Sequence, residues 1–491
     1  MPDQVTYGAQ LTRLAASRGD DIAIVLAAGG GPDTTMTWRE LEARANQVAR
    51  LLADVGVGQD DLVAIAVPTS LEHVITTFAA WKLGAVVLPM RHDLPRWERD
   101  RLLSLASARV VTADWEDAPA GTISTSDLGR TVDLRASALP DRVPKWSHVL
   151  ATSGSTGHPK LIARPTPGVV TADAAVAVVT GGDDDQTFLG MSPLYHANGW
   201  QGAAGALVGG HRSVLMARFD AATAVDLIRR YQVTTVIAVP TMLLRIVRLP
   251  TVSKNDFVSV RRAVQGGAPL PQWVARAWFE LVPPERCILA YGSSEGLGLV
   301  VATGTEWLER PGTTGRPANC DLRIQDAEGN VVPAGTVGEI FLRSDNPGPP
   351  FVYLGAATPT PTADGFRTVG DLGWVDDDGY LFIADRRQDM IVTGGANVFP
   401  AEVEAALSEH PSIADQVVIG LPDDEWGHRV HALVQPQPGR APSEAELRAF
   451  CKNRLAAYKV PKSFELVDRL PRSDAGKLNR GLLARQRIAG Y

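Results

Sequence analysis

The segment Thr152-Ser-Gly-Ser-Thr-Gly-His-Pro-Lys160 is rich in glycine and hydroxyl groups and ends in a lysine. Gly154 and Gly157 allow backbone angles that other residues avoid, and they let a ligand approach the chain closely. The hydroxyls and exposed amides can bind phosphate oxygens, and Lys160 adds a positive point charge. A Walker A loop needs Gly-Lys-Ser/Thr at the start of a helix, whereas here Pro159 stands between glycine and lysine. The segment predicts a different kind of phosphate-binding loop, with a Ser/Gly-rich surface turn as the alternative.

The sequence on both sides of this segment alternates buried strands with amphipathic helices. Residues 62–67 form a continuous apolar run, typical of a strand that is buried on both faces. A helical pattern follows over 71–83, and residues 85–88 predict the next buried strand. Beyond the segment, a helix over 219–231 precedes a β-branched strand over 233–239. Strand, helix and strand in this order predict a parallel α/β sheet.

The pattern changes near Thr313, where short strands alternate with turns that contain glycine, asparagine and aspartate. This alternation of short strands and turns predicts a small antiparallel, barrel-like subdomain. A last unit begins near Asp389 and combines helices near 401–407 and 443–455 with a strand at 416–419. The expected fold is therefore α/β plus a small α+β domain: two parallel-type α/β subdomains and a short β subdomain, followed by the C-terminal unit.

Composition and charge are those of an ordinary soluble globular protein. The 491 residues suggest about three folding units. A net charge of −7 and scattered basic residues argue against nucleic-acid binding. We see neither a signal-peptide pattern nor an apolar run of about 20 residues, so we expect no membrane span and a cytoplasmic location. The widely spaced cysteines, Cys287, Cys320 and Cys451, predict free thiols in a reducing compartment.

Further motifs accompany the phosphate-loop candidate along the chain. They are Tyr195-His196, Gly266-Gly-Ala-Pro269, Tyr291-Gly-Ser-Ser-Glu295, Val369-Gly-Asp-Leu-Gly373, Asp385-Arg386 with Gly394-Gly-Ala-Asn397, and Gly476-Lys477. Together with the loop, and in this order, they resemble the landmarks of the adenylate-forming superfamily. That superfamily includes acyl-CoA ligases, luciferases and the adenylation domains of peptide synthetases. The resemblance covers nearly the whole chain.

The resemblance implies a two-step reaction. A carboxylate attacks the α-phosphorus of ATP to give an acyl adenylate and pyrophosphate, and a thiol then displaces AMP to give a thioester. Such catalysis rests mainly on positioning and on electrostatic stabilisation of the charge around phosphorus. The implied substrate is a small-molecule carboxylic acid, and the implied cofactors are ATP, Mg²⁺ and coenzyme A. A homodimer is also expected, since dimers are common in the family.

The resemblance also assigns roles around the nucleotide. Glu295 is the implied metal ligand, because Mg²⁺ prefers a carboxylate together with phosphate oxygens and water. Asp371 would accept hydrogen bonds from both ribose hydroxyls, although an aspartate in such a turn often only shapes the backbone. The implied nucleotide-binding residues are Thr152, Ser153, Gly154, Ser155, Thr156, Gly157, Lys160, Gly267, Ala268, Pro269, Tyr291, Gly292, Ser293, Ser294, Asp371 and Arg386.

Two domains cooperate in this resemblance. Residues 1–387 would bind ATP and the acyl group, and residues 388–491 would form a mobile domain with its hinge at Gln388. Lys477 would be catalytic, because its ammonium group can bridge the substrate carboxylate and an α-phosphate oxygen. Rotation of the small domain between the half-reactions would move this lysine out of the active site and bring another loop of the same domain into its place. That CoA-step loop contains Gly394, Gly395 and Ala396.

The implied acyl site begins at His196. In the family this residue lies beside the acyl and phosphate groups and counts as catalytic, whereas a hydrogen-bonded core histidine is the alternative. The small residues after it either leave room for a wide acyl group or only let a helix pack closely. The overall pattern looks most like ligases of fatty, steroid-type or terpenoid acids, which predicts a lipophilic, even polycyclic, substrate. Trp200 is either a wall of this pocket or plain core. The implied pocket residues are His196, Ala197, Asn198, Gly199 and Trp200.

Three residues depart from the commonest family pattern. Leu161 stands where glycine is frequent, Ser294 where threonine is frequent, and Gln388 where a charged residue is usual at the hinge. They leave open a half-enzyme that mainly converts a supplied acyl adenylate into a thioester. A non-catalytic nucleotide-binding sensor is an alternative of another class, which the retained lysine and carboxylates disfavour. An amino-acid adenylation domain is disfavoured because no aspartate near Tyr195-His196 is present to pair with an amino group.

Overall fold

The computed structural model describes residues 5–29, 31–152, 160–170, 186–345, 351–473, 476 and 478–488. Within these residues the α-helices are α1 (Tyr7–Ser17), α2 (Trp38–Asp54), α3 (Leu71–Lys82), α4 (Arg96–Ala106), α5 (Thr125–Gly129), α6 (Ala197–Val208), α7 (Ala221–Tyr231), α8 (Pro240–Val247), α9 (Gln272–Leu281), α10 (Gly304–Glu309), α11 (Pro400–Ser408), α12 (Glu444–Lys452) and α13 (Arg480–Ile488). Short 3₁₀ turns cover Arg130–Asp133, Lys254–Phe257, Pro284–Arg286 and Ala457–Lys459.

The strands of the first half are β1 (Ile22–Ala27), β2 (Thr34–Thr37), β3 (Leu62–Ala66), β4 (Val86–Pro89), β5 (Val110–Ala113), β6 (Val149–Thr152), β7 (Lys160–Ala163), β8 (Thr187–Gly190), β9 (Arg212–Met216), β10 (Thr235–Ala238), β11 (Arg262–Gly266) and β12 (Cys287–Tyr291). Those of the second half are β13 (Val300–Thr303), β14 (Arg316–Pro317), β15 (Cys320–Gln325), β16 (Gly338–Ser344), β17 (Val352–Leu354), β18 (Asp371–Val375), β19 (Leu381–Arg386), β20 (Ile391–Thr393), β21 (Ala396–Val398), β22 (Ile413–Asp423), β23 (Gly427–Pro436) and β24 (Ser463–Leu466).

Nine strands form the central sheet, in the order β14-β13-β12-β11-β10-β8-β9-β1-β2. The strands from β12 to β1 in this order are parallel, and antiparallel strands close both edges. A second parallel sheet has the order β4-β3-β5. There β3, α3 and β4 follow one another, and β3 pairs in parallel with β4 from Leu62 opposite Val86. The predicted parallel α/β architecture is therefore confirmed.

The helix α2 shows how the sequence fixes the first subdomain. The hydroxyl of Thr37 accepts the backbone N–H of Glu40 at 3.2 Å, and the Glu40 carboxylate accepts the N–H of Thr37 at 2.8 Å. These reciprocal bonds satisfy amides that the first turn otherwise leaves without a partner. On the opposite face Leu41 and Val48 are fully buried in a core that also contains Trp81 of α3. Each such burial stabilises the fold by about 1.5–3 kcal/mol.

The β subdomain is an open antiparallel sheet with the order β15-β16-β18-β19. Its predicted turns are present, since the carboxylates of Asp326 and Asp376 accept the backbone N–H groups of Asn330 and Tyr380, each at 2.8 Å. The barrel-like shape expected from the sequence is corrected in one respect. Among the described strands, no pairing joins β15 to β19 to close this sheet.

The C-terminal domain has its own apolar core. Its sheet joins β22 and β23 in antiparallel and β23 and β24 in parallel fashion. Val403 of α11, Val418 and Val430 of the sheet and Leu447 of α12 meet in one buried cluster. The predicted helices and strand of this unit are all present, and a domain boundary at residue 388 stays a prediction.

Hydrogen bonds hold the C-terminal domain against α8 and α9. Arg248, which follows α8, donates to the carbonyl of Ala414 at 3.0 Å and to that of Ser408 at 3.3 Å. Trp273 of α9 donates from its indole nitrogen to the Ser408 hydroxyl at 3.0 Å. The Arg248 guanidinium also lies 5.3 Å from the Trp273 ring centre. Arg248 and Trp273 of the N-terminal domain are therefore hydrogen-bonded to the C-terminal end of α11 and the residues after it.

Membrane-spanning helices and free thiols are the two features that composition raised and that the structure addresses. No helix among the described residues combines the length and the apolar character needed to cross a membrane. Cys287, Cys320 and Cys451 are free and buried. Burial raises the pKa of Cys287 to about 12, which leaves it an unreactive thiol near neutral pH.

Candidate active site

The carboxyl edge of the central sheet gathers several of the predicted motifs. β11 and β12 are parallel, with Gly266 opposite Ala290, so the Gly266–Pro269 and Tyr291–Glu295 segments emerge side by side. Thr241 follows the neighbouring parallel strand β10, and the Tyr195-His196 pair follows β8. Because the carboxyl ends of parallel strands lie at one edge, these segments lie together at one edge of the sheet. Open α/β sheets bind their ligands in a crevice at this edge.

Asp371 lies at the centre of a polar triad at this edge. Tyr291, at the end of β12, donates from its hydroxyl to Asp371 Oδ2 at 2.8 Å. Arg386 stands opposite Asp371 in the β18–β19 ladder and brings Nε within 3.4 Å of Oδ1. Burial raises the pKa of Asp371, and the Arg386 charge opposes that rise. The structure therefore presents a sheltered acceptor with the predicted tyrosine and arginine beside it.

Glu295 forms a second polar group with Tyr353. Tyr353 belongs to none of the sequence motifs. The Tyr353 hydroxyl donates to Glu295 Oε1 at 2.9 Å. The Lys160 ammonium lies 4.8 Å from the centre of the Tyr353 ring. Tyr353 occupies β17, which pairs with β7, the strand that Lys160 begins. One tyrosine thus contacts both the predicted metal ligand and the lysine of the phosphate-loop candidate.

The phosphate-loop candidate begins and ends in a hairpin. β6 and β7 are antiparallel, and Thr152 pairs with Lys160 at the end of their ladder. Lys160, the first residue of β7, lies beside Tyr353. The predicted phosphate-binding residues Ser153, Gly154, Ser155, Thr156 and Gly157 lie outside the described residues, as does the side chain of Thr152.

The predicted adenine wall follows β11. Gly267 has φ of +87°, a conformation that suits glycine. A Cβ at this position would lie 3.2 Å from the side-chain nitrogen of Asn198, so the start of α6 reaches this turn. Gln265 donates to the carbonyl of Ala268 at 3.0 Å and fixes the turn that leads to Pro269. The predicted wall and part of the predicted acyl pocket therefore meet.

His196 caps the start of α6 with extended backbone angles. Its ring lies 4.6 Å from that of Tyr195. Trp200, one turn further on, is only 3% exposed and lies 5.8 Å from the Trp81 ring and 5.9 Å from the His148 ring. This position favours the plain-core interpretation of Trp200 over a pocket wall. His196 stands at the helix end nearer the crevice.

The small residues of α6 mainly permit close packing. A Cβ at Gly199 would overlap the carbonyl oxygens of Pro193 and Ser192. A Cβ at Gly202 would come within 2.5 Å of the Phe188 ring on β8. The space that these glycines leave is therefore already filled by backbone and by an aromatic ring. A small cavity lies where α6 packs on the sheet, beside Phe188 and Gly202.

The C-terminal tail reaches the same edge of the sheet. Gly476 lies against Thr241, where a Cβ would overlap the threonine hydroxyl. Arg472 donates to the Gly476 carbonyl at 2.8 Å and holds the tail in place. The neighbouring residue, the predicted catalytic Lys477, lies outside the described residues. Gly476, the residue before Lys477, nevertheless lies against Thr241, just after the end of β10.

The predicted CoA-step loop forms the turn of the β20–β21 hairpin, where Thr393 pairs with Ala396. Gly394 and Gly395 have positive φ angles of 56° and 80°. The Gly394 N–H donates to the Trp426 carbonyl at 2.9 Å, and a Cβ there would lie 2.5 Å from the Trp426 ring. Gln388, the predicted hinge, occupies an exposed turn directly after β19. The roles of this loop and of Gln388 stay predictions.

Comparisons with known proteins identify the family of this chain. A model of the AMP-binding enzyme family matches residues 11–349, and a model of the AMP-binding enzyme C-terminal domain matches residues 402–477. The chain belongs to the AMP-binding enzyme family. It is 34% identical to a feruloyl-CoA synthase of Amycolatopsis sp. over 471 residues, which cover 92% of this chain and 94% of the relative. It is 32% identical to a fatty acid–acyl-carrier-protein ligase of Streptomyces coeruleorubidus over 481 residues, which cover 91% and 90%.

A solved structure of an AMP-binding enzyme relative also superposes over nearly the whole chain. The o-succinylbenzoate CoA synthetase of Bacillus subtilis, in complex with its acyl-adenylate intermediate, gives a TM-score of 0.82 at 28% identity. The match covers 96% of this chain and 97% of that one. As an AMP-binding enzyme, the present chain is an ATP-dependent acid–thiol ligase that acts through an acyl adenylate. ATP, Mg²⁺ and coenzyme A are its cofactors.

The carboxylate of Glu295 fits the way nucleotide sites hold Mg²⁺. Such sites supply one or two carboxylates, and substrate phosphates and water complete the octahedron. Among the described residues, no cluster of three or more His, Cys, Asp or Glu side chains forms a complete metal cage. A single half-buried carboxylate beside a phosphate-loop lysine suits a metal that arrives with the nucleotide of this AMP-binding enzyme.

The small-residue packing of α6 gives a direct stability prediction. Gly199→Ala is expected to lower the free energy of unfolding by about 2–3 kcal/mol, because the new methyl group meets rigid carbonyls. Gly205→Ala, in the same helix, is expected to raise it by up to about 1 kcal/mol, because nothing lies within 4 Å and alanine favours the helix. Urea unfolding of both variants measures the difference. Equal effects of the two substitutions would contradict the packing described for Gly199.

Proposed function

We propose that this acyl-CoA ligase uses the Asp371 triad to hold the ribose and the Glu295–Tyr353–Lys160 group to hold metal and phosphate. The observation that carries the proposal is the arrangement of Tyr291, Asp371 and Arg386 at the carboxyl edge of the central sheet. Glu295 lies four residues after Tyr291 on the same loop, so a nucleotide bound by the triad extends its phosphates toward Glu295. The two groups together suit one ATP molecule.

In the first half-reaction the acid carboxylate attacks the α-phosphorus of ATP, and pyrophosphate leaves with the bonding electron pair. Asp371 accepts hydrogen bonds from the ribose hydroxyls, and Tyr291 lies under the adenine. Lys160 and the segment 153–159 neutralise the departing pyrophosphate. The bound metal supplies charge neutralisation at the phosphates, and Glu295 holds it. Lys477 bridges the attacking carboxylate and an α-phosphate oxygen. Fixed charges of this kind stabilise the transition state without reorganisation.

In the second half-reaction the coenzyme A thiolate attacks the acyl carbonyl, and AMP leaves. We propose that residues 388–491 then rotate about Gln388, so that the Gly394–Ala396 loop replaces Lys477 at the crevice. The neighbourhood of Gly476 and Thr241 supports an adenylation arrangement of the present structure. The loop at Gly394 packs on Trp426 and forms part of the surface that would turn inward.

The substrate proposed here is a lipophilic carboxylic acid. His196, Ala197 and Asn198 lie at the start of α6, beside the turn of Gly267, and are the residues we propose around its carboxylate end. A bulky polycyclic acid would need space along α6 that Phe188 already fills at Gly202. We therefore favour an acid with one aromatic ring over a polycycle. The two relatives named above act, by name, on a feruloyl group and on a fatty acid.

Three alternatives differ from this proposal in measurable ways. A half-enzyme forms thioester from supplied acyl adenylate but shows little exchange with free acid. A sensor binds nucleotide and releases no AMP with any acid. A carrier-protein ligase loads a phosphopantetheine arm in place of coenzyme A, as the name of the Streptomyces coeruleorubidus relative describes for that protein. Cytoplasmic location and homodimerisation stay predictions.

A pyrophosphate-release screen separates these outcomes. Hydroxycinnamic, benzoic, long-chain fatty and steroid-type acids are each incubated with ATP and Mg²⁺, with and without coenzyme A. We expect the highest kcat/KM for a single-ring aromatic acid, together with thioester formation only when coenzyme A is present. The measurement is pyrophosphate release, followed by chromatography of the acyl-CoA product.

The contrary results are equally specific. A steroid-type acid turned over at least ten times faster than any single-ring acid would overturn the size argument from α6. Thioester formed from supplied adenylate, without pyrophosphate from free acid, would support the half-enzyme. Nucleotide binding without AMP from any acid would support the sensor.

A further inference from the structure

The contact between Tyr353 and Glu295 goes beyond the roles proposed above. Tyr353 lies in a short strand outside every motif of the sequence, yet its hydroxyl donates to Glu295 Oε1 at 2.9 Å. Its ring lies under the Lys160 ammonium at 4.8 Å. Tyr353 therefore has contacts with both of these side chains.

We propose that Tyr353 is a positioning residue that orients the Glu295 carboxylate toward the nucleotide-bound metal and supports Lys160 at the pyrophosphate. The inference rests on the proposed role of Glu295 and extends it. Partners that fix a ligating carboxylate typically change metal affinity or activity by about 10–100-fold when removed. Tyr353 is not itself a ligand, since its hydroxyl is engaged with the carboxylate.

The backbone holds Tyr353 firmly enough for this task. β17 is paired with β7 along its length, with Tyr353 opposite Ile162. The backbone N–H of Tyr353 donates to the Thr358 hydroxyl at 3.0 Å. The Phe351 ring lies edge-on at 5.0 Å. A tyrosine fixed from these directions restricts the rotamers of Glu295, which is a half-buried side chain on a loop.

The chemistry of the two groups fixes the direction of this hydrogen bond. A phenol hydroxyl can donate and a carboxylate only accepts, so Glu295 is the acceptor in the contact with Tyr353. The ring face separately attracts the Lys160 ammonium, because the face of an aromatic ring carries partial negative charge.

The chain contains a matched control in Tyr380. Its hydroxyl donates to Glu306 Oε1 at 3.0 Å, and Glu306 caps the start of α10. This pair reproduces the chemistry of Tyr353 and Glu295 in the same half of the chain, but outside the candidate active site. Tyr353→Phe and Tyr380→Phe therefore each remove one tyrosine–glutamate hydrogen bond and keep the ring. A purely structural role predicts the same outcome for both.

The first test measures metal binding directly. Manganese is titrated into enzyme with saturating α,β-methylene ATP, and free Mn²⁺ is followed by electron paramagnetic resonance. We expect Tyr353→Phe to weaken Mn²⁺ binding about 10-fold and Tyr380→Phe to leave it within two-fold. The half-saturating Mg²⁺ concentration in ATP–pyrophosphate exchange should rise by a similar factor, while thioester formation from supplied adenylate stays unchanged.

A second variant separates the ring from the hydroxyl. Tyr353→Leu also removes the face beneath Lys160, so we expect an additional two- to five-fold rise in the KM for pyrophosphate over Tyr353→Phe. The thermal unfolding midpoints of both variants and of Tyr380→Phe show whether folding is retained. Exchange lowered to the same extent in Tyr380→Phe would assign the effect to stability alone.

The outcomes also distinguish this inference from the function on which it rests. Wild-type enzyme that binds Mn²⁺ with the nucleotide, with Tyr353→Phe binding it equally tightly, would overturn the positioning role alone. Wild-type enzyme that binds no Mn²⁺ with the nucleotide would remove the role of Glu295 and the inference together.

Discussion

Lys477→Ala is expected to reduce ATP–pyrophosphate exchange by about 100- to 1,000-fold, the range found when one preorganised charge or donor at a transition state is lost. Thioester formation from chemically supplied acyl adenylate should stay within about three-fold of wild type, because that step does not form a bond to the α-phosphorus. The position of Gly476 against Thr241, at the sheet edge, is the structural reason to expect the larger effect. Quench-flow measurement of the two half-reactions separates them.

Lys452→Ala provides the control for this experiment. Lys452 is an exposed lysine at the end of α12 in the same C-terminal domain. Its removal should leave both half-reactions unchanged. If Lys477→Ala slowed both half-reactions equally, the assignment of this lysine to adenylation would be wrong.

Asp371→Asn is expected to raise the KM for ATP by about 10- to 100-fold. A hydrogen bond to a charged acceptor contributes about 1.5–3 kcal/mol, and the amide both removes the charge and turns an N–H₂ group toward other donors. Tyr291 and Arg386 approach the two oxygens of this carboxylate, so one of them would face the amide nitrogen. Initial rates of pyrophosphate exchange over a range of ATP concentrations give the KM.

The expected effect of Asp371→Asn on the two half-reactions differs from that of Lys477→Ala. The acyl adenylate carries the same ribose, so Asp371→Asn should weaken both half-reactions. Asp326→Asn is the control, because Asp326 shapes an exposed turn of the same β subdomain and has no predicted contact with nucleotide. An unchanged KM for ATP in Asp371→Asn, with folding intact, would exclude the proposed ribose contact.

Local sequence patterns predicted much of the fold, because the residues that determine a helix, strand or turn lie within that segment. The apolar run of β3 and the aspartate-containing turns of the β subdomain both form as expected. Each depends on neighbours within a few residues. Their assembly into a parallel sheet follows from the order of strand and helix.

The candidate site was less accessible to sequence reasoning, because its geometry depends on pairing between distant strands. Tyr353 carries no motif, and only the pairing of β17 with β7 brings it to Glu295. The small residues of α6 looked like room for a substrate, whereas Phe188 and the carbonyl of Pro193 occupy that space. Trp200 likewise had two interpretations until its neighbours were known. Sequence spacing does not report which face of a helix meets which neighbour.

The hydrogen bonds that Arg248 and Trp273 donate to the end of α11 and the residues after it have a consequence for the proposed turnover. Three hydrogen bonds join these side chains to Ser408 and Ala414, and the proposed rotation of the small domain would break all of them. At about 1 kcal/mol each, they would favour the docked orientation by roughly 100-fold. If the domain rotates as proposed, coenzyme A would have to bind the alternative orientation more tightly by a comparable factor before that orientation became the populated one. The resting enzyme would then favour formation of the adenylate, and the thiol substrate would reverse that preference in each cycle.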